Sequence, residues 1–247
     1  MRRSFSIICL VLFLSAGTAV AQKRLYFGLQ GTAMNTWVTN QNNYDPTRAD
    51  MTYAATFGGG GNVNIGFDFN DHLGLVLQVG YAKLGQKSKQ MIGDTNYTRN
   101  VKLHYLQIPL MFKYRSSGEV VRFYVMAGPQ FDFLLSAEQE YYKNDASFYD
   151  ESTINPITHK PILIGESNIT ERYTTYDIFA RLDLGVDIKL MKSLFLNTGL
   201  TFAYGLTDIN ATDWRINNNS GMYNASHNVA IGFNVGINYC LNFSKGK

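Results

Sequence analysis

The chain has 247 residues, 45% hydrophobic and 14% aromatic, with 22 glycines, 5 prolines and a formal charge of +3. That length suits one large β-barrel domain or two small domains, and the weak, dispersed charge argues against nucleic acid as a partner. Of its two cysteines, Cys9 lies in the N-terminal apolar run, so Cys240 is left with no internal disulfide partner after export.

The N-terminus reads Arg2 and Arg3, an apolar run from Ile7 to Leu14, then Ala19-Val20-Ala21. Positive charge, a short greasy core and a small-residue cleavage site make a secretory signal peptide over residues 1–21. The mature domain is therefore expected to span 22–247. Cys9 has no small-residue lipobox before it, so lipoprotein processing is not expected. After this segment no apolar run reaches the ~18 residues of a transmembrane helix.

Period-two alternation then recurs eight times, at 24–36, 53–69, 72–86, 99–115, 119–136, 173–190, 193–208 and 226–243. Strands of soluble domains average about five or six residues, and these are far longer. The intervening segments alternate in length. Tight turns are predicted near Asn70-Asp71, Arg115-Ser116-Ser117-Gly118 and Met191-Lys192, with long loops at 37–52, 87–98, 137–172 and 209–225. Such alternation predicts an all-β, eight-stranded antiparallel up-and-down transmembrane β-barrel, with both chain ends on the short-turn side.

The two faces of each strand decide the solvent. In 226–243 one face carries Val229, Ile231, Phe233, Val235, Ile237, Tyr239 and Leu241, and the other carries Asn228, Ala230, Gly232, Asn234, Gly236 and Asn238. In 193–208, Leu196, Leu200, Phe202, Tyr204 and Leu206 oppose Asn197, Gly199, Thr201, Ala203 and Gly205. In 173–190, Ile178, Leu182, Leu184, Val186 and Ile188 oppose Asp177, Arg181, Asp183, Asp187 and Lys189. A soluble barrel hides its bulky face and covers the other with charge. Here the second face is Gly, Asn, Ala and Thr with charges of both signs, which suits a crowded lumen. The apolar face is then expected to meet lipid, where a closed barrel leaves no backbone group unpaired. Tyr26, Phe69, Tyr114, Tyr239 and Phe243 are expected in interfacial girdles. Pro109 and Pro129, lacking a ladder donor, are each expected to mark a bulge.

The stretches "YLQIPLMFKY" (105–114), "FYVMAGPQFDFLL" (123–135) and "YDIFARLDLGVDIKLMKSLFLNTGLTFAYGLTDI" (176–209) resemble the PorT-like outer-membrane β-barrel family of Bacteroidota. The resemblance spans essentially the whole mature chain. It departs at Arg181-Leu182-Asp183, where that family more often has small or apolar residues, and the 137–172 loop is longer than usual. It implies an eight-stranded barrel in the bacterial outer membrane. The namesake of the family is linked to protein secretion across that membrane, which implies a secretion-accessory role.

Three kinds of activity follow for testing. For an enzyme, such as an outer-membrane hydrolase or acyltransferase, His72, His104, His159 and His227 show no Gly-x-Ser-x-Gly elbow or spaced acid. Metal-ligand spacing is absent too, so no catalytic, metal or cofactor site is expected. For a small passive or gated pore, eight strands enclose only enough room for side chains or one small ligand. Arg122, Asp132, Asp177, Arg181, Asp183, Asp187 and Lys189 are expected to form a side-chain-filled, ion-paired polar plug in that lumen. For recognition, the 137–172 loop offers Tyr141, Tyr142, Phe148 and Tyr149 as an extracellular contact surface. Expected partners are outer-membrane lipid, the outer-membrane insertion machinery (the last strand is aromatic-rich) and an envelope or secretion partner reached through the outer loops. A monomer is expected.

Overall fold

The computed structural model describes residues 24–39, 52–92, 94–144, 146–147, 153–154, 161–162, 168–215, 217 and 221–242. Its long strands, numbered in chain order, are β1 (Arg24–Thr39), β2 (Thr56–Asp68), β3 (Leu73–Ile92), β4 (Thr95–Arg115), β5 (Val121–Lys143), β6 (Tyr176–Lys189), β7 (Leu194–Gly205) and β8 (His227–Asn242). Each pairs antiparallel with the next, and β8 returns to β1 over sixteen residue pairs from Arg24↔Asn242 to Thr39↔His227. The ring is closed, so no edge is left over the span where all eight strands pair.

Alternation sets the faces. Phe233 is 52% exposed and Leu200 47%, whereas Asn234 and Asp183, on the opposite faces of β8 and β6, are 0% exposed. The greasy set looks outward and the polar set fills the middle, the reverse of a soluble core. No helix among the described residues is long and apolar enough to cross a membrane.

Several expectations need correction. The segment 87–98 is not a loop. β3 and β4 continue their pairing to Ile92↔Thr95, leaving only 93–94 between them. Here Gln86, Lys87, Ser88 and Lys89 carry no apolar alternation, although the backbone ladder continues without it. Likewise β5 continues to Lys143, so Tyr141 and Tyr142 lie on a strand instead of in a loop. With 20, 21 and 23 residues, β3, β4 and β5 exceed the 12 to 16 of the other five. At about 3.3 Å per residue and ~40° of tilt, β5 rises roughly twice the ~25 Å hydrocarbon band. The tall strands form a ribbon standing above the long-loop rim.

Neither proline marks a bulge. Register is unbroken through Pro109↔Gln130 and Pro129↔Ala180. The β3–β4 pairing skips Ile108 and Pro109, resuming at Leu77↔Leu110, and this local gap absorbs the missing donor without a slip. The register shift lies instead between His104 and Tyr105, which pair Ser136 and Leu134. Leu135 is the extra residue of the bulge. It inverts β5: Tyr124, Met126, Gln130 and Asp132 point inward below it, and Ala137 and Gln139 point inward above it.

Tyr26 is only 2% exposed and faces the lumen, not a girdle, because it shares the inward parity of β1 with Gln30 and Met34. Phe69, Tyr114 and Tyr239 do face outward at the short-turn rim. The signal segment 1–21, His159, Phe148, Tyr149 and Phe243 lie outside the described residues.

Candidate functional site: the filled lumen

The lumen is packed in three layers. At the short-turn end, Arg115 donates from Nη1 to Asp68 Oδ2 at 2.7 Å, and its Nε lies 2.8 Å from Asp187 Oδ2. Lys113 Nζ donates to Asp187 Oδ1 at 3.0 Å. Two cations thus face two carboxylates, all four buried. Buried ions are tolerated only when paired and hydrogen-bonded, since desolvation costs several kcal/mol per ion (order of magnitude). Aromatic rings supply further contact. Lys113 Nζ sits 4.5 Å from the Tyr124 ring centre, and the Arg115 guanidinium carbon 5.5 Å from that of Tyr26. Tyr26 meets Phe195 edge-on at 5.2 Å. The glycines of the inward face make room for these rings: a Cβ on Gly66 would lie 1.9 Å from Tyr26 Cζ.

In the middle, Arg181 grips Asp183 through two bonds of 2.9 Å, from Nε and from Nη2, and donates from Nη1 to Gln130 at 3.0 Å. Gln130 and Gln107 both donate to Asp132 Oδ2, at 3.1 and 2.8 Å. Asp132 Oδ1 has no hydrogen-bond partner among the described residues. Around this group run amide bonds such as Asn238 to Asn197 at 2.7 Å and Gln78 to Gln30 at 2.8 Å. A cavity of about 10 Å³ remains beside Gln107, Gln130 and Arg181, room for about one water.

The third layer, at the long-loop end, is apolar. Leu84, Leu103, Tyr105, Phe179, Ile169, Tyr173 and Ile209 pack as one buried cluster. Ile169, Tyr173 and Ile209 come from segments outside the long strands, held by the bridge Tyr173↔Asn210 and by Ile169 N to Ala137 O at 2.9 Å. Beneath them Asn228 donates to Asp177 at 3.0 Å and to the Tyr105 hydroxyl at 3.2 Å, and Thr207 donates to the other Asp177 oxygen. Above them Asp208 accepts from Tyr223 at 2.7 Å and pairs with Arg215 at 2.9 Å. Burial first, then the Asp208 bond, pushes the Tyr223 phenol up to about 12.

The structure thus brings Asp132, Asp177, Arg181, Asp183 and Asp187 into the lumen. Arg122 and Lys189 do not join them. Arg122 is half-buried at the short-turn rim and donates to the Gly118 carbonyl at 2.7 Å, and Lys189 is exposed at the same rim. Both share the inward parity of their strands, but the last residues at a rim reach water instead of the interior. Sequence reading missed Lys113, Arg115 and Asp68 as plug members. The signal was available in the parity that Lys113 and Arg115 share with Gln107 on one strand. Tyr141 stacks under Arg99 at 5.9 Å, and Tyr142 donates to Glu140 at 3.2 Å.

The histidines form no catalytic pair or metal cluster among the described residues. Instead His72 stacks on Tyr114, His104 on Tyr81 and His227 on Tyr204, with ring centres 6.2, 5.9 and 5.7 Å apart. Tyr81 and His104 also share a hydrogen bond. Ten positions separate His104 from Tyr114 on β4, a rise of about 25 Å at ~40° of tilt, which equals the hydrocarbon band.

Residues 20–211 match the family described as outer membrane protein beta-barrel domain. The chain belongs to that family. The match stops short of β8, which closes the ring. Among solved structures the barrel is similar to Neisserial surface protein A, at 10% identity over 87% of this chain and 96% of that one, with a TM-score of 0.43. It is similar also to a major outer membrane protein of Thermus thermophilus, at 13% identity over 88% and 99%, TM-score 0.43. A third is OprG of Pseudomonas aeruginosa, at 11% over 90% and 97%, TM-score 0.41. A search of curated proteins gives no match. An outer-membrane barrel meets lipid with its outward Leu, Val and Phe, and the His–Tyr stacks sit at the heights of its two interfaces.

Proposed function

We propose that this outer-membrane barrel is a non-conducting platform that presents its outer segments for recognition, as a secretion accessory or docking partner in the envelope. One observation carries the reading: side chains fill the lumen from rim to rim, with charge at one end and apolar bulk at the other. A closed cylinder taller on one side is suited to holding a surface in place, not to passing solutes. The motif resemblance to PorT-like barrels of Bacteroidota supports the secretion version. The monomeric state, the secretory leader at 1–21 and periplasmic termini belong to the same proposal. The grouping of Arg24 and Asn242 at the rim of the tight turns 69–72 and 190–193 supports the last of these.

Planar-bilayer recording of the purified protein tests the reading. No unitary steps are expected, and steady steps would instead establish a small pore. Labelling a cysteine placed at Ser117 in intact cells tests the orientation, because a periplasmic turn stays unlabelled until the outer membrane is permeabilised.

A further inference from the structure

The outer wall carries a feature that neither sealing nor display uses. Where β1 meets β2, the outward positions Gly31 and Gly61 stand opposite one another, and an open groove of about 610 Å³ runs over them. Leu29, Val63, Val79, Val235 and Ile237 line it, so its walls are apolar. At its upper end Gly61 pairs with Tyr81, which stacks on His104 at the outer interface, and Gly59 pairs with Lys83. Above Lys83, on the same outward face of β3, stand Lys87 and Lys89.

These three lysines have no counter-charge in the ladders beside them. Lys83 lies between Gly59 and His104, Lys87 between Ala54 and Asn100, and Lys89 between Thr52 and Thr98. None forms an ion pair among the described residues. By contrast Lys102 on the neighbouring strand is paired with Glu140. A cationic column therefore rises from the interface directly above an apolar groove sunk into the hydrocarbon layer.

We propose that this groove seats an acyl chain of a phosphate-bearing membrane lipid, whose headgroup phosphate is held by Lys83 with Lys87 and Lys89. Charge complementarity selects this occupant. A neutral lipid would fill the groove but leave the column unanswered. A second copy docked through a two-fold axis would set one lysine column against the other. The seat needs only the outer wall, so it stands or falls independently of whether the lumen conducts.

Native mass spectrometry of the purified full chain tests it, with diphosphorylated lipid A as probe and zwitterionic phosphatidylcholine as control. Wild type should retain lipid A and release phosphatidylcholine. The triple variant Lys83→Glu, Lys87→Glu, Lys89→Glu should retain about tenfold less lipid A or lower still, since each basic residue near an anionic surface contributes to the attraction. Gly31→Leu and Gly61→Leu fill the groove with the lysines intact and should also lower retention several-fold. Both point into open space, with nothing within 4 Å of a Cβ at Gly31 and only the Gln30 carbonyl, at 3.7 Å, near one at Gly61, so the fold is kept. Equal retention of both lipids, retention unchanged in the variants, or a dimer dissolved by Gly31→Leu would overturn the proposal.

Discussion

At the short-turn end Lys113, Arg115, Asp68 and Asp187 close the lumen with charge, whereas at the long-loop end Ile169, Tyr173, Phe179 and Ile209 close it with apolar bulk. The difference follows from what each rim can supply. Tight turns bring no spare chain, so the walls must reach across with long side chains, and long polar side chains in a buried space must be paired. The long-loop rim has chain to fold inward. Segments at 169–173 and 206–215 lay their apolar residues over the opening, and Asp208, Tyr223 and Arg215 tie them down from above. One cylinder thus uses the hydrophobic effect at one end and paired ions at the other, while its exterior has neither requirement.

The two closures can be broken separately or together. Combining Arg115→Ala with Ile209→Ala should have the largest effect, because the sites share no contact and distant effects add to within about 0.5 kcal/mol. We expect the lowest urea midpoint from this double variant and no steady conductance from it in planar bilayers, because the layer of Arg181, Asp183, Gln130 and Asp132 still fills the middle of the lumen. Steady conductance from it would show that the two ends, and not the middle layer, carry the seal. Arg115→Ala by itself leaves Asp68 and Asp187 short of a buried partner, at a cost of about 3 kcal/mol, read as a lower urea midpoint for the folded barrel. Ile209→Ala removes a fully buried side chain and should cost about 2 kcal/mol in the same measurement. A loss at Ile209 larger than at Arg115 would reverse the ranking of the two chemistries.

The smallest effect concerns the tie above the cap. The Tyr223 phenol is raised in the folded chain from the ordinary value near 10 to about 12. A raised value means that its stabilisation is complete below about pH 10 and is lost as pH climbs through about 12. Amide exchange around 222–226 should therefore accelerate across that window in wild type. Tyr223→Phe should show no such transition, and an identical profile in both would remove Tyr223 from the account.

Much of this barrel was legible because lipid imposes a strict alternation. Phe233 against Asn234 and Leu184 against Asp183 could be sorted by parity alone. The signal ends where lipid ends. Beyond Leu84 and Val101 both faces of β3 and β4 are mostly polar, with Gln86, Lys87, Ser88 and Lys89 running beside Thr98, Arg99 and Asn100, so the ladder continues while the pattern that announces it has gone. Leu135 defeats parity differently, since an apolar residue inserted among Phe131, Phe133 and Leu134 reads as one more step of the strand. Lys113 and Arg115 were legible in principle, but charge on a strand of Leu, Ile and Phe draws attention only once its neighbours Gln107 and Met111 are seen to share its face. The apolar cap was not legible, because residues such as Ile169 and Ile209 lie in stretches with no period at all.

The bulge at Leu135 also constrains how this wall can change length. Downstream of it every residue of β5 takes its orientation from that one inserted position, so adding or removing a single residue between 136 and 138 would turn Gln139 out and Glu140 in. Growth or trimming of the tall ribbon is thus quantised in pairs of residues, while the segments joining strands at the same rim face no such arithmetic.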